Sequence, residues 1–244
     1  MNALPGNSKA EAERTTAPPF DPLTLVLLVL TTTTGIVDAI TVLGLGHVFT
    51  ANMTGNVVFW GFALAGAPQY SVARCATALA AFLVGAACGG RLATALTGAT
   101  QRHWLRVVAG VESGLFFTAA FIAVGYHLDS LAPTWKLYTL IVLTGAAMGV
   151  RNATARRLGV ADLTTTVLTL TLTGLAADSS LAGGENPRWK RRVASVVALF
   201  GGAALGAALV FATGLAVPLA LCGVCILLAT FLYAAHPPSS TETD

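Results

Sequence analysis

Charge is what this sequence has least of. Asp, Glu, Lys and Arg make up only 10% of its 244 residues, against roughly 25% in an ordinary soluble domain, so the chain cannot cover a core with solvated side chains and a water-soluble globule is excluded. The net charge of +3 is small and gathered in no single patch, which argues against nucleic acid as a partner. Catalytic signatures are missing too: there is no H-E-x-x-H, no G-x-S-x-G and no P-loop, and neither an enzyme nor a cofactor is expected. Cysteine is scarce. Cys75, Cys88, Cys222 and Cys225 all lie in apolar runs, and the Cys222-x-x-Cys225 pair has neither a thioredoxin-like surrounding nor a second pair of metal ligands. They read as small packing residues, with no metal site.

What the chain does have is apolar length. Hydrophobic residues make up 55% of it, with a mean hydropathy of +0.73, in strong runs at about 23–43, 72–97, 105–125, 134–150, 193–213 and 216–235. A bilayer core about 30 Å thick takes roughly 20 apolar residues per helical crossing. The expected fold is therefore an all-α, polytopic membrane protein with a single transmembrane domain over 23–235, flanked by a polar, proline-bearing tail (1–22) and a short C-terminal tail (236–244). The lipid bilayer is the implied partner; a small-molecule solute and a second copy of the chain stay open.

Two stretches fit the crossing pattern less well. Residues 48–66 carry Asn52, Thr54 and Asn56 in their first half, and residues 163–177 are short and studded with threonine (Thr164, Thr165, Thr166, Thr169, Thr171, Thr173). If both cross, the chain has eight helices and Lys and Arg divide 8 to 6 between the two sides; if neither crosses, six helices leave 12 on the inner side and only Arg74 and Lys136 outside. The bias of basic residues toward cytoplasmic loops favours six crossings plus two re-entrant or short segments, with both termini cytoplasmic; eight crossings is the alternative.

The two awkward stretches occupy matching places in an internal repeat. Gly35-Ile36-Val37-Asp38-Ala39 aligns with Gly149-Val150-Arg151-Asn152-Ala153, and further along Gly44 matches Gly159, Thr50 matches Thr165, Thr54 matches Thr169, Gly85 matches Gly201 and Gly90 matches Gly206. The halves run over about 23–125 and 134–235. Three crossings per half is an odd number, so the second half is expected to be inverted, a plan that places a site at the interface of the halves.

Gly35-x-x-Asp38-Ala39 followed by Val48-Phe49-x-Ala51-Asn52-Met53-Thr54-Gly55-Asn56 resembles the signature of the YoaK-like bacterial inner-membrane proteins, a domain family of unknown function. Gly149-x-x-Asn152-Ala153-x-x-Arg156-x-Leu158-Gly159 with Thr165 to Thr173 is similar to that family's second region. The resemblance covers about residues 23–235 and implies a fold and a location in the cell membrane, but no substrate. The chain departs from the pattern at Val150-Arg151, where the family has Met-Gln, and at Leu170, where it has Gly.

Ionisable and amide side chains at membrane depth are costly and mark function. Asp38, near the end of the first helix, is read either as a cation or proton site or as a cap on the re-entrant segment. Asn52, Thr54 and Asn56 suit a re-entrant turn and a solute path, and Asn152 is their counterpart in the second half. Arg91 and Glu112 fall at similar depth on consecutive helices and are expected to pair, as a structural or gating ion pair. Arg151 either holds an anionic substrate or, the preferred reading, joins Arg156 and Arg157 at the cytoplasmic face. His47 is a lone histidine at the outer turn. The expected function is a small-solute transporter or channel-like permease with its site between the repeats at Asp38, Asn52, Thr54, Asn56 and Asn152; the alternative is a non-transporting scaffold or regulatory subunit.

Overall fold

The computed structural model describes residues 22–159, 168–186 and 188–235. Eight α-helices are found there: α1 Pro22–Gly44, α2 Met53–Leu64, α3 Val72–Ala95, α4 Gln101–Ala123, α5 Thr134–Leu158, α6 Leu168–Ala177, α7 Trp189–Thr213 and α8 Ala216–Ala235. The chain is an all-α polytopic membrane protein. Five helices (α1, α3, α4, α7, α8) are long and apolar enough to cross a bilayer. The 25-residue α5 is as long but carries Lys136, Arg151, Arg156 and Arg157, so the apolar run ending near residue 150 continues as helix for two more turns. At 12 and 10 residues, α2 and α6 reach only about 18 and 15 Å at 1.5 Å per residue, short of a crossing.

Local chemistry sets several of the ends. Ser71 and Thr100 cap α3 and α4 by accepting the backbone N–H groups of Arg74 and His103. Gly159 closes α5 in the left-handed conformation (φ 62°) that glycine adopts without steric cost. The terminal tails and Thr164 to Thr166 lie outside the described residues.

The long helices pair across the two halves. A Cβ added to Gly35 of α1 would lie 2.3 Å from the Leu199 carbonyl oxygen of α7, and one added to Gly202 of α7 would lie 2.0 Å from that of Thr32. In the other pair, a Cβ on Gly149 of α5 would lie 2.2 Å from the Phe82 oxygen of α3, and one on Gly85 would lie 2.2 Å from that of Ala146. Backbone contact this close needs glycine on both sides, and it supplies the dispersion energy that holds helices together in lipid. One turn on, Gly206 meets Ile36 and Ala39, as Gly89 meets Val150 and Ala153. The equivalences are thus Gly85 with Gly202 and Gly89 with Gly206, one position away from the alignment of Gly85 with Gly201 and Gly90 with Gly206. The reason is visible in the packing: Gly90 and Gly201 have nothing within 4 Å where a Cβ would sit, so sequence matching alone had placed outward-facing glycines opposite inward-facing ones.

Both glycine crossings advance in step along their partners, so α1 runs with α7 and α3 with α5. The innermost pair, α4 and α8, runs oppositely: the Ser113 hydroxyl donates to Gly223 O at 3.0 Å, and Arg106 donates to Ala234 O at 3.2 Å. Leu23, Leu105, Leu158 and Tyr233 line one cavity, so the first turns of α1 and α4 meet the last turns of α5 and α8. In sum α1, α4 and α7 point one way and α3, α5 and α8 the other. We call the end where α1 begins the lower end. A buried apolar cluster including Ile36, Ile40, Phe116, Leu140, Ile141, Leu219 and Ile226 fills the centre above it.

Candidate functional site

The polar centre of the bundle is built on Arg151. This arginine lies two turns before the end of α5, on the face turned toward α1 and α4, and it is 3% exposed. Its Nε donates to Glu112 Oε1 of α4 at 2.5 Å, and Nη2 approaches the same oxygen to 2.5 Å. Its Nη1 donates to the Leu30 carbonyl oxygen at 3.0 Å and to the hydroxyl oxygens of Thr33 and Thr34, each at 2.9 Å. Both threonine hydroxyls donate in turn to Leu30 O at 2.9 Å. Their protons are therefore tied back to the helix and their lone pairs are left to face the guanidinium. The Phe116 ring lies under the group, 5.9 Å from Cζ to centroid, a cation–π distance.

Glu112 is 2% exposed, and the pair as a whole is shut away from bulk water. A cavity of about 40 Å³ reaches it from the lower end between Leu23, Val26, Leu105, Leu158 and Tyr233, room for roughly two or three waters. Asp38 lies one helical turn beyond Thr34 on the same face of α1. Its Oδ1 is buried without a hydrogen-bond partner among the described residues, and it interacts electrostatically with Arg151. Glu112 is thus the carboxylate bonded to the guanidinium, with Asp38 a second carboxylate nearby. Burying a charge pair is costly unless hydrogen bonds offset it, and the threonine and carbonyl acceptors do so here for Nη1. Such a centre can hold an ion or a polar group, and it can rearrange among a small set of partners.

Several expectations are corrected by this arrangement. Glu112 pairs with Arg151 and not with Arg91, which is exposed on α3. Arg91 lies in the last turn or so of α3 while Glu112 lies mid-way along α4, so the two differ in depth, and α3 turns its glycine face to α5 and carries Arg91 outward. Arg151 does not join Arg156 and Arg157 at the lower face: those two are exposed in the last turn of α5, while Arg151 is buried one turn further in.

The residues Asp38, Asn52, Thr54, Asn56 and Asn152 do not form one cluster. Asn56 staples the loop before α2, accepting the Phe49 N–H at 2.9 Å and donating to Phe49 O at 2.5 Å. Asn52 and Thr54 are exposed. This loop follows the upper end of α1, about 15 Å along the helix from the turn that holds Arg151. Asn152 donates to Met148 O of its own helix at 2.9 Å. Thr171 is the buried residue of α6, in the place Asn56 takes in α2; Thr169 and Thr173 are exposed. His47 is exposed with its ring 6.1 Å from that of Tyr70. Thr33 and Thr34 are the functional candidates that sequence reasoning passed over. The signal was present as four consecutive threonines, Thr31 to Thr34, in the middle of an apolar helix.

Residues 26–232 match a family model described as protein of unknown function DUF1275. A relative, the UPF0700 transmembrane protein YoaK of Bacillus subtilis (strain 168), is 38% identical over 156 residues, a stretch that covers 64% of this chain and 66% of the relative. No solved structure matches. The matched region takes in every described helix that builds the polar centre, and the chain belongs to the DUF1275 family of multi-pass membrane proteins of unknown function.

Proposed function

We propose that the protein is a small-solute transporter whose site is the Glu112–Arg151 centre with Asp38 above it. The observation that carries this reading is a buried ion pair, hydrogen-bonded through Arg151 Nε and Nη1, held between helices of both halves and reached from one end by a cavity. Ionisable groups at such depth, facing the bundle interior, are the ordinary mark of a translocation path.

The two halves are read as an inverted duplication. The helix equivalences α1 with α5, α3 with α7 and α4 with α8 relate elements that run oppositely, and the glycine crossings repeat contact for contact. Six crossings follow, with α2 and α6 as short segments that do not pass through. Arg91, Arg102, Arg106, Arg156, Arg157 and the run Arg188 to Arg192 all belong to the lower end, and Arg74 and Lys136 to the upper. The positive-inside rule then puts the lower end and both termini in the cytoplasm, and the chain in the inner membrane. No covalent chemistry forms part of this reading.

Flux of a solute panel into proteoliposomes tests transport, and flux abolished by Arg151→Met would tie it to the centre. A thiol placed at Ala67 should react from outside and one at Ala177 from inside; labelling of Ala67→Cys from the cytoplasm would sink the six-crossing topology. The small volume of the cavity favours a second reading, a non-transporting scaffold or regulatory subunit, which predicts no flux for any solute and a partner retained through purification.

A further inference from the structure

A second recess lies at the lower end, outside the polar centre. It has a volume of about 310 Å³ and lies between the last residues of α3, the first turn of α4 and the last turn of α5, lined by Ala93, Thr97, Gln101, Trp104, Arg157 and Leu158 among others. We propose that this recess binds the phosphate of an anionic phospholipid headgroup.

Three independent features point to an anion. Arg157 is exposed in the last turn of α5, and no carboxylate among the described residues pairs with it. Its guanidinium is held over the Trp104 ring, Cζ 5.8 Å from the centroid, which fixes a planar donor set at the lip of the recess without using its N–H groups. Trp104 is 7% exposed, and its indole N–H is a buried donor without an acceptor among the described residues; few buried donors are left so. The recess also receives the start of α4 at Gln101, where Thr100 caps His103 N–H. That end of a helix favours negative charge.

The position selects the source of the phosphate. Ala93, Leu96 and Leu158 give the recess an apolar wall, and it lies where spanning helices end, at the depth of headgroups rather than in bulk water. An indole and an arginine at that level are the usual anchors of a membrane interface. A diester with acyl chains satisfies both walls; free phosphate satisfies only one. Leu158 lines this recess and also the cavity that leads to Glu112 and Arg151, so an occupied recess would brace one wall of the path to the polar centre. The proposal does not depend on transport, since the lipid would bind a scaffold equally well.

The test is native mass spectrometry and thermal unfolding of the full chain in mild detergent, with phosphatidylglycerol, phosphatidylcholine or inorganic phosphate added. A retained phosphatidylglycerol adduct and a raised unfolding temperature are expected, with neither from phosphatidylcholine at the same concentration. Arg157→Gln should weaken phosphatidylglycerol binding about tenfold, roughly the loss of one charge-assisted contact, and Arg157→Lys should restore part of it. Arg91→Gln, which removes an exposed charge at the same end but outside the recess, should leave it unchanged. Equal losses in Arg91→Gln and Arg157→Gln would mean diffuse attraction to a basic surface and would overturn the site. So would an equal stabilisation by inorganic phosphate, or binding that survives Arg157→Gln.

Discussion

The two glycine crossings and the polar centre between them are built by opposite rules. At the crossings the halves agree in detail: Gly35 meets Leu199 and Gly202 as Gly149 meets Phe82 and Gly85. At the centre they part. Val37 stands in the first half where Arg151 stands in the second, and Asp38 where the second has Asn152. Packing in lipid rewards repetition, because the same close backbone approach is favourable wherever it occurs. A site between two halves needs a difference, because a buried arginine must be met by a carboxylate and hydroxyls, not by a second copy of itself. The glycine crossings repeat between the halves, and the polar centre does not.

This contrast can be broken in a graded way. The largest effect is expected at the centre. Glu112→Ala leaves Arg151 buried without the carboxylate bonded to it, and should cost about 3–5 kcal/mol of unfolding free energy in micelles. Replacing both partners, as Glu112→Leu with Arg151→Met, should recover most of that. A double variant no more stable than the single one would show that the pair is not the source of the loss. Next come the crossings, where Gly85→Leu and Gly202→Leu drive a side chain into backbone and should each cost at least about 1–3 kcal/mol, by similar amounts. Strongly unequal losses measured by the same unfolding assay would break the equivalence of the halves.

Asn56→Ala should cost about 1–3 kcal/mol, because it strands the Phe49 N–H and carbonyl. The change belongs to the loop alone, so flux per folded molecule should be unaffected; a selective loss of flux would return Asn56 to the solute path. The smallest effects are expected at Gly90→Ala and Gly201→Ala, within about 0.5 kcal/mol, since both positions are open. These would separate the structural register of the repeat from the one that sequence matching favours.

The class of fold was legible because composition alone decides it: with so few charges no soluble solution exists. The six long helices and the two short segments were legible from run length, apart from the last two turns of α5, whose arginines disguise them. Depth was legible only in part, because α4 begins within the polar stretch Thr100 to Arg106 and so carries Glu112 deeper than the apolar run suggests. The face of a helix was not legible. Which side of α3 turns inward depends on α5, a helix from the other half, and the exchange of partners between halves leaves no mark in either half's own periodicity. Arg91 was therefore expected opposite Glu112, in the place that Arg151 takes. The register slip at Gly85 has the same origin, because runs such as Gly201-Gly202 offer two candidates and only contact tells them apart. Asn56, expected in a turn, lies inside α2 and ties down the loop before it. The solute role given to Asn52 and Thr54 rested on their polarity, and exposure accounts for that polarity.

The most direct test of the central claim combines stability with flux in one variant. Once a transported solute is found, Glu112→Leu with Arg151→Met should fold, keep an unfolding temperature close to that of the natural chain, and carry no flux in proteoliposomes. A double variant that folds equally well and transports at the natural rate would contradict the assignment of function to the Glu112–Arg151 centre.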